Sequence, residues 1–226
     1  PAVQDHKRAY EGDTGPNTGG MGTYSDVNHG LPFLTDGDIA KAHEINTATA
    51  KALKHKFGEK YKGILYGGFM ATANGVMLIE YNARFGDPEA MNVLSLLETD
   101  FIDICIGIAN GTLDQIDVRF SNKASVCKYA VPDGYPDSPV KGEPIDVSGI
   151  SNPDGLFYAS VDLQNGQLVE AGSRTVAVVG MADTISDAEK LAENEVSSIK
   201  GPLFHRTDIG TDMIIQKRID HMNALR

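Results

Sequence analysis

The pattern of apolar positions predicts a long helix early in the chain, from Asp36 to Phe57. Apolar and small residues recur there three and four positions apart, which places them on one helical face. They are Ile39, Ala42, Ile45, Thr49, Ala52 and Leu53. Gly58 follows directly and suits a C-terminal cap, because glycine readily adopts the left-handed conformation found there.

The next segment, "KGILYGGFMATANGVMLIEYN", predicts a β-hairpin. Its two apolar runs flank Asn74-Gly75, a pair that favours a type I′ turn. Successive side chains of a strand point to opposite faces of the sheet. One face would carry Val76, Leu78, Glu80 and Asn82, and the other Met77, Ile79 and Tyr81.

Two shorter helices are predicted after the hairpin. The first begins with Asp87 as its N-cap, Pro88 at its first position and Glu89 in its first turn. The second runs from about Asp100 to Ala109, because Asn110-Gly111 is a typical helix end.

From about residue 121 the pattern changes to short apolar strands separated by glycine and proline. Asn165-Gly166 indicates another hairpin, and a helix is predicted from Ser186, where a capping box reaches Glu189. The first 25 residues are rich in turn formers and are predicted to be loop. We therefore expect an α+β fold with a boundary between residues 120 and 121, the second part being mainly β.

Composition narrows the function classes. The 226 residues carry a formal net charge of −11, whereas nucleic-acid binding needs clustered lysine and arginine. No apolar run approaches the ~20 residues that span a bilayer. We expect neither a nucleic-acid partner nor a membrane partner, and we expect a cytoplasmic location. Because the chain opens with Pro1 in a loop-like stretch, we also expect it to be the C-terminal part of something longer.

Glu80 and Asn82 are candidate metal ligands. They lie about 7 Å apart on one strand face, and carboxylate and amide oxygens suit Mg²⁺. The simpler interpretation is a half-exposed strand with two solvated polar residues. Val76 and Leu78 share the predicted face, which indicates partial burial, and a buried carboxylate needs a partner or a cation.

The residues that follow the strand, "RFGDPE", carry further candidates. The guanidinium of Arg84 suits a carboxylate or a phosphate. Gly86 permits close approach of the backbone to a ligand. Asp87 could bind a ligand amine as well as cap a helix.

The glycine-rich stretch "DTGPNTGGMG" is a candidate anion site, because its backbone N–H groups could cradle a phosphate. Its central residues are Asn17, Thr18, Gly19 and Gly20. It is not the GxxxxGK[ST] phosphate loop, and a flexible surface loop is the competing interpretation. Just before it, Lys7 and Arg8 are either phosphate contacts or solvated charges.

Taken in order, "QDHKR", "DTGPNTGGMGTYS", "GGFMAT" and "IEYNARFGDPE" resemble the phosphoribosylamine–glycine ligases (glycinamide ribonucleotide synthetases), ATP-grasp enzymes of purine biosynthesis. "SRTVAVVG" and "FHRTDIG" look like that family's C-terminal domain. The resemblance covers essentially the whole chain but only about the C-terminal half of such an enzyme. It implies that residues 1–120 are the C-terminal part of the ATP-grasp catalytic domain and residues 121–226 the ligase's C-terminal domain.

The resemblance also implies a reaction and roles. Members of the family join glycine to 5-phosphoribosylamine through a glycyl phosphate, converting ATP to ADP and phosphate. Glu80 and Asn82 match the family's Mg²⁺ (or Mn²⁺) ligands, while Arg84, Gly86 and Asp87 match the loop near glycine and the acyl phosphate. Arg84 and Asp87 are therefore the catalytic candidates. The segment Asn17 to Gly20 matches a substrate-facing loop near the ribose phosphate.

Two departures qualify the resemblance. Many ATP-grasp enzymes carry a second acid on the partner strand of the hairpin, and "ILYGGFMAT" has none. The nucleotide-clamping residues are expected in a missing N-terminal part of the same enzyme, so this chain alone should bind ATP weakly. Two alternatives stay open: another ATP-grasp carboxylate–amine ligase, or a non-catalytic metal-binding or scaffold module.

Overall fold

The computed structural model describes all residues from 1 to 226. The strands are β1 (Gln4–Asp5), β2 (Arg8–Tyr10), β3 (Thr14–Asn17), β4 (Gly22–Ser25), β5 (Tyr66–Thr72), β6 (Gly75–Asn82), β7 (Ala124–Pro132), β8 (Leu156–Tyr158), β9 (Val161–Gln164), β10 (Gln167–Glu170), β11 (Val176–Ala182) and β12 (Leu203–Phe204). The helices are α1 (Asp36–Phe57), α2 (Glu89–Leu96), α3 (Phe101–Asn110), α4 (Ile185–Ser198) and α5 (Asp212–Leu225). None of the five helices combines the length and the apolar content of a membrane span.

The main sheet is antiparallel and is built around β7, in the order β1-β4-β7-β11-β8, with β12 also pairing with β7. Every residue of β7 is buried. The sheet includes β1 and β4, so the prediction that the first 25 residues form a loop is wrong. The strands there are only two to four residues long, and with glycine and threonine among their residues they show no clear alternation of apolar and polar positions. The proposed boundary at residue 120 remains a prediction, and this sheet has strands from both sides of it.

Helix α4 covers one face of the sheet with the buried side chains of Ile185, Ala188, Ala192 and Val196. The helix approaches β11 so closely that a Cβ atom on Gly180 would lie 2.2 Å from the carbonyl oxygen of Ala188. Only glycine fits at this position. The sequence predicted the helix but not its cap: Thr184, not Ser186, is the N-cap, and its hydroxyl oxygen accepts from the N–H of Asp187. Helix α5 was not predicted.

The hairpin β5–β6 and helix α1 form a separate layer. Helix α1 has the predicted bounds, Gly58 adopts the left-handed conformation as its cap, and no α1 residue is buried. It is joined to β6 by a hydrogen bond of 2.7 Å from the Tyr81 hydroxyl to Asn46 Oδ1. Asn74 is not among the residues with positive φ, so the turn is not type I′. The later Asn165-Gly166 hairpin is confirmed, with both residues at positive φ.

A β-bulge interrupts the hairpin and changes the faces predicted for β6. Gly68 pairs with Glu80 and Phe69 with Leu78, so Ile79 has no partner on β5. The extra residue shifts the side-chain alternation, and Glu80 is exposed, whereas Val76 and Leu78 are half-buried. The expectation that Glu80 lies on a partly buried face is therefore wrong.

Two predicted helix starts have different outcomes. Helix α3 begins after Asp100, whose side chain accepts from the N–H of Ile102, and ends at Gly111 in the left-handed conformation. Helix α2 begins at Glu89 with Pro88 as its N-cap, so Asp87 is not the cap that was predicted. The Asp87 carboxylate is held by other partners, described below.

A buried ion network joins the N-terminal strands to the segment before α5. Arg206 is fully buried, and its Nε and Nη2 donate to the two oxygens of Asp208, both at 2.8 Å. Its Nη1 donates to Asp13 Oδ1 at 3.1 Å, and Arg218 donates to the other oxygen of Asp13 at 2.6 Å. The hydrogen bond from buried His6 holds the pKa of Asp13 well below its usual range.

We predict that Asp208→Asn lowers the free energy of unfolding by about 3 kcal/mol, since a buried charge that loses its partner is costly to retain. Urea denaturation measures the change. Asp117→Asn is the matched control, because Asp117 and Arg119 form an exposed pair at 3.6 Å, and such pairs contribute about 0–1 kcal/mol. Equal losses in the two variants would contradict the role given to the buried network.

Candidate functional site

Three stretches that are far apart in sequence meet beside the end of the main sheet. They are the glycine-rich loop, the turn at Asp87-Pro88, and Arg174, two residues before β11. Arg174 Nη1 donates to the carbonyl oxygens of Gly20 (3.3 Å) and Asp87 (3.2 Å), and its Nη2 to Asp87 Oδ2 (3.1 Å). The guanidinium thus joins the loop to the turn.

Tyr129 of β7 completes this junction. Its hydroxyl donates to Asp87 Oδ1 at 3.0 Å, and the Arg174 guanidinium stacks over its ring at 4.7 Å. Both oxygens of Asp87 therefore have protein partners, although about half of its side chain, 54%, remains exposed. Asp87 is oriented by the fold and still open to a ligand.

The glycine-rich loop is tightly folded, and most of its N–H groups are already bonded. Thr18 donates to the carbonyl oxygen of Lys7 at 2.7 Å, and Gly20 donates to the Thr18 hydroxyl at 3.0 Å. Gly19 N–H has only a long contact, 3.5 Å, to the hydroxyl of Tyr135. Asn17 ends β3 and is exposed. Of the predicted anion cradle, Gly19 N–H is the group least engaged by the protein.

Lys7 and Arg8 point to different parts of this loop. Lys7 is exposed, pairs with Asp5, and reaches the carbonyl oxygen of Gly19 at 3.4 Å. Arg8 Nη1 donates to the carbonyl oxygen of Gly15 at 2.7 Å. Lys7 thus lies next to the junction, while Arg8 binds the loop at Gly15, away from the junction.

Two buried acids lie beneath the junction. Glu89, at the start of α2, is 3% exposed and accepts a hydrogen bond of 2.6 Å from the hydroxyl of Tyr66 on β5. Asp5 is close enough to Gly20 that a Cβ there would lie 2.8 Å from Asp5 Oδ1. Burial raises the pKa of Asp5 to about 6, against the opposing effect of Lys7. The partner strand of the hairpin has no acid of its own, but Tyr66 connects it to one.

Glu80 and Asn82 lie together at the end of β6. Asn82 Nδ2 is 3.2 Å from Glu80 Oε1, which confirms that both side chains are on one side of the strand. Turning the Asn82 amide by 180° about its last bond would direct its oxygen to the same place. An exposed carboxylate beside an amide oxygen fits Mg²⁺, which commonly has few protein ligands and completes its sphere with phosphates and water.

The remaining predicted residues lie between these groups. Arg84 is exposed, and its Nη1 donates only to the neighbouring carbonyl oxygen of Phe85, at 2.7 Å. Gly86 is buried against Glu89: a Cβ at Gly86 would lie 2.5 Å from Glu89 Oε2. Arg84 is thus free to turn towards a ligand, and it is not part of the Asp87–Arg174 junction.

Sequence reasoning did not assign a role here to Tyr66, Tyr129 or Arg174. Tyr66 and Arg174 border or belong to stretches that carried the family resemblance, "GGFMAT" and "SRTVAVVG". Tyr129 had no such signal, since it lies in a mostly apolar strand outside the stretches that carried the resemblance.

Comparison with known proteins matches both parts of the chain. Residues 1–90 match the family model of the phosphoribosylglycinamide synthetase ATP-grasp (A) domain, and residues 125–212 match the C domain of the same enzyme. A curated relative, the phosphoribosylamine–glycine ligase of Methanosarcina barkeri, is 55% identical over the whole chain. That alignment covers 52% of the relative, so the chain spans about half the length of the curated relatives it matches.

Solved structures agree in fold. The phosphoribosylamine–glycine ligase of Thermotoga maritima superposes with a TM-score of 0.79 at 30% identity, covering 92% of this chain and 50% of that one. The biotin carboxylase domain of Hydrogenobacter thermophilus 2-oxoglutarate carboxylase, solved with MgADP, ADP and bicarbonate, superposes with a TM-score of 0.58. It is 15% identical, and the match covers 98% of this chain and 44% of that one. The second likeness shows the fold alone.

We predict a distinct pH dependence of stability from Asp5, whose side chain is 11% exposed. Between about pH 4 and 6 the unfolded chain has lost this proton while the folded chain keeps it, so the Asp5 contribution to stability falls as pH rises. Asp5→Asn should therefore gain roughly 2 to 3 kcal/mol relative to the original protein from pH 4 to pH 7. Urea denaturation at several pH values measures this, and a constant difference between the two proteins would contradict it.

Proposed function

Because this chain belongs to the phosphoribosylglycinamide synthetase (phosphoribosylamine–glycine ligase) family, we propose that it supplies half of the active site of an ATP-dependent carboxylate–amine ligase. The complete protein would join glycine to 5-phosphoribosylamine and release ADP and phosphate, as a step of purine biosynthesis in the cytoplasm. The N-terminal part of the same enzyme would be its partner in the site.

One observation supports this proposal above the others: the candidate metal ligands Glu80 and Asn82 (the metal-ligand pair), the open guanidinium of Arg84 and the oriented carboxylate of Asp87 follow one another within eight residues. The segment that carries them begins at the end of β6, where Glu80 and Asn82 lie on one side of the strand. It ends at the Asp87 turn, which is held by Arg174 and Tyr129. Ligands for a metal cation, a guanidinium for a carboxylate or phosphate, and a carboxylate for an amine are thus available within one short segment.

The proposed chemistry has two steps. An oxygen of the glycine carboxylate takes the γ-phosphoryl group of ATP, which gives glycyl phosphate and ADP. The nitrogen of phosphoribosylamine then attacks the carbonyl carbon, loses a proton, and displaces phosphate, which leaves with the former carboxylate oxygen. Phosphoryl transfer of this kind depends mostly on positioning and charge stabilisation.

The residues divide these tasks by their chemistry. Glu80 and Asn82 would hold Mg²⁺ or Mn²⁺, which when bound neutralises charge on the ATP phosphates. Arg84 would pair with the glycine carboxylate and then the acyl phosphate, whereas Gly86 leaves room for the buried side chain of Glu89 rather than for the ligand. Asp87 would bind an ammonium or amine group.

The glycine-rich loop, Asn17 to Gly20, would face the ribose phosphate. Gly19 N–H is available for an acceptor, and Lys7 lies beside it with an exposed ammonium. Arg8, bonded to Gly15, would contribute to the positive potential near the phosphate from behind the loop. The amine-bearing substrate would thus lie next to Asp87.

Glu80→Gln in the complete protein tests this function. We expect glycine-dependent ADP release to fall at least ~100-fold, since a metal ligand on the transferring phosphates contributes several kcal/mol to the barrier. The free energy of unfolding of the variant should stay within ~0.5 kcal/mol of that of the original protein, because Glu80 is exposed. Glu59→Gln, at an exposed carboxylate beyond α1, is the matched control and should keep the original rate.

The same experiment separates the alternatives. If Glu80→Gln keeps the rate of ADP release, the chain is a scaffold rather than half of an active site. If ADP release needs a carboxylate substrate but does not respond to phosphoribosylamine, the protein is a ligase for a different amine.

A further inference from the structure

We propose that Arg174 is a positioning residue that locks the glycine-rich loop to Asp87, and that this lock sets the binding of glycine and phosphoribosylamine but not of ATP. The inference rests on the function proposed above. It assigns a task to a side chain that comes from the far half of the sequence and is separated from the metal-ligand pair.

The hydrogen bonds of the Arg174 side chain all go to the two pieces that it would align. It donates to backbone oxygen on the loop, at Gly20, and to both backbone and carboxylate oxygen on the turn, at Asp87. Its Cζ atom lies over the ring of Tyr129, 4.7 Å from the ring centroid. An arginine fork can satisfy several acceptors in fixed directions while it stacks, which a lysine cannot do.

The backbone of Arg174 is held firmly enough for this task. Its carbonyl oxygen accepts from the N–H of Ser160 at 2.9 Å. The next residue, Thr175, is fully buried and donates to the carbonyl oxygen of Ala130 in β7 at 3.1 Å. The side chain therefore projects from the main sheet, and only 16% of it is exposed.

The predicted selectivity follows from where the contacts stop. Arg174 makes no hydrogen bond to β5 or β6, so Glu80 and Asn82 keep their arrangement without it. Asp87 and the loop, in contrast, lose the charged group that joins them. Truncation of Arg174 should therefore weaken the site for the two small substrates while the metal–nucleotide site is preserved.

Gly19 provides a second way to displace the same guanidinium. A Cβ at Gly19 would lie 2.9 Å from Arg174 Cζ and Nη2. Gly19 does not have a positive φ, so alanine there meets no backbone strain. Gly19→Ala should act by pushing the guanidinium away rather than by deforming the loop.

The test uses the complete protein with Arg174→Met, Arg174→Lys and, as a matched control, Arg119→Met at an exposed arginine. We expect Arg174→Met to lower kcat/KM at least 30-fold for glycine and for phosphoribosylamine while KM for ATP changes less than 3-fold. Arg174→Lys should recover only part of the loss, and the control should match the original protein. A change in the KM for ATP as large as the changes for glycine and phosphoribosylamine would overturn the proposal, and so would an unchanged kcat/KM for the two small substrates.

Hydrogen exchange provides a readout that does not depend on activity. In Arg174→Met, the amides of residues 18–21 should exchange at least 10-fold faster, while those of β7 and β11 remain as protected as in the original protein. Unchanged exchange in the loop would overturn the proposal. If the original protein shows no ligase activity, the proposed function fails by itself, and this exchange measurement alone decides the role of Arg174.

A double variant tests the link between the two positions. If Gly19→Ala acts by displacing the guanidinium, it should lower kcat/KM for the two small substrates in the original protein. In a double variant with Arg174→Ala, which removes the guanidinium, Gly19→Ala should add less than 2-fold to the loss of kcat/KM that Arg174→Ala causes alone. Fully additive losses would show that the two residues act separately, and would overturn the proposed lock.

Discussion

Burial of β7 (Ala124–Pro132) on both faces is the constraint on which the rest of the molecule depends. One face packs into a cluster that includes Val126 and Ala130, the other into a cluster that includes Cys127, Tyr129 and Val131. Such a strand needs a partner on each edge, because buried backbone groups must be hydrogen-bonded. Strands β4 and β11 supply them, so residues 22–25 and residues 176–182 lie on the two opposite edges of β7.

The same strand shows how polar groups are accommodated in this core. Lys128 is fully buried, and its ammonium donates to Glu189 (2.6 Å), Glu193 (2.5 Å) and the carbonyl oxygen of Thr207 (2.9 Å). Tyr129 places its hydroxyl at the end of the sheet where Asp87 and Arg174 meet. The junction of Asp87 and Arg174 therefore rests on a strand that is buried along its whole length, which suits a site that works by positioning.

Local signals predicted the elements that are stabilised locally. Helix α1 has a capping box at Thr35 and a glycine cap, and it has the predicted bounds. The two-residue strand β1 and the four-residue β4 exist because β7 pairs with β4, and no local pattern could show that. The bulge at Ile79 likewise depends on pairing across the hairpin, so strict alternation gave the wrong burial for Glu80.

The residues of the candidate site also fall into those that a local pattern predicts and those that depend on distant contacts. Glu80 and Asn82 are two residues apart, and periodicity alone placed them on one side of β6, as their contact confirms. The Asp87 carboxylate was expected at a helix cap, but a residue 87 positions later, Arg174, holds it instead. Contacts over that separation depend on the fold of the whole chain. Short motifs could therefore name the candidate residues but not the side chains that orient them.

The central claim is that this chain forms half of a site that activates a carboxylate by phosphorylation. The most direct test supplies the complete protein with ATP, phosphoribosylamine and glycine labelled with ¹⁸O in its carboxylate, and analyses the released phosphate by mass spectrometry. Transfer through glycyl phosphate predicts one ¹⁸O atom in each phosphate released. Unlabelled phosphate, released while the amide product forms, would contradict the claim.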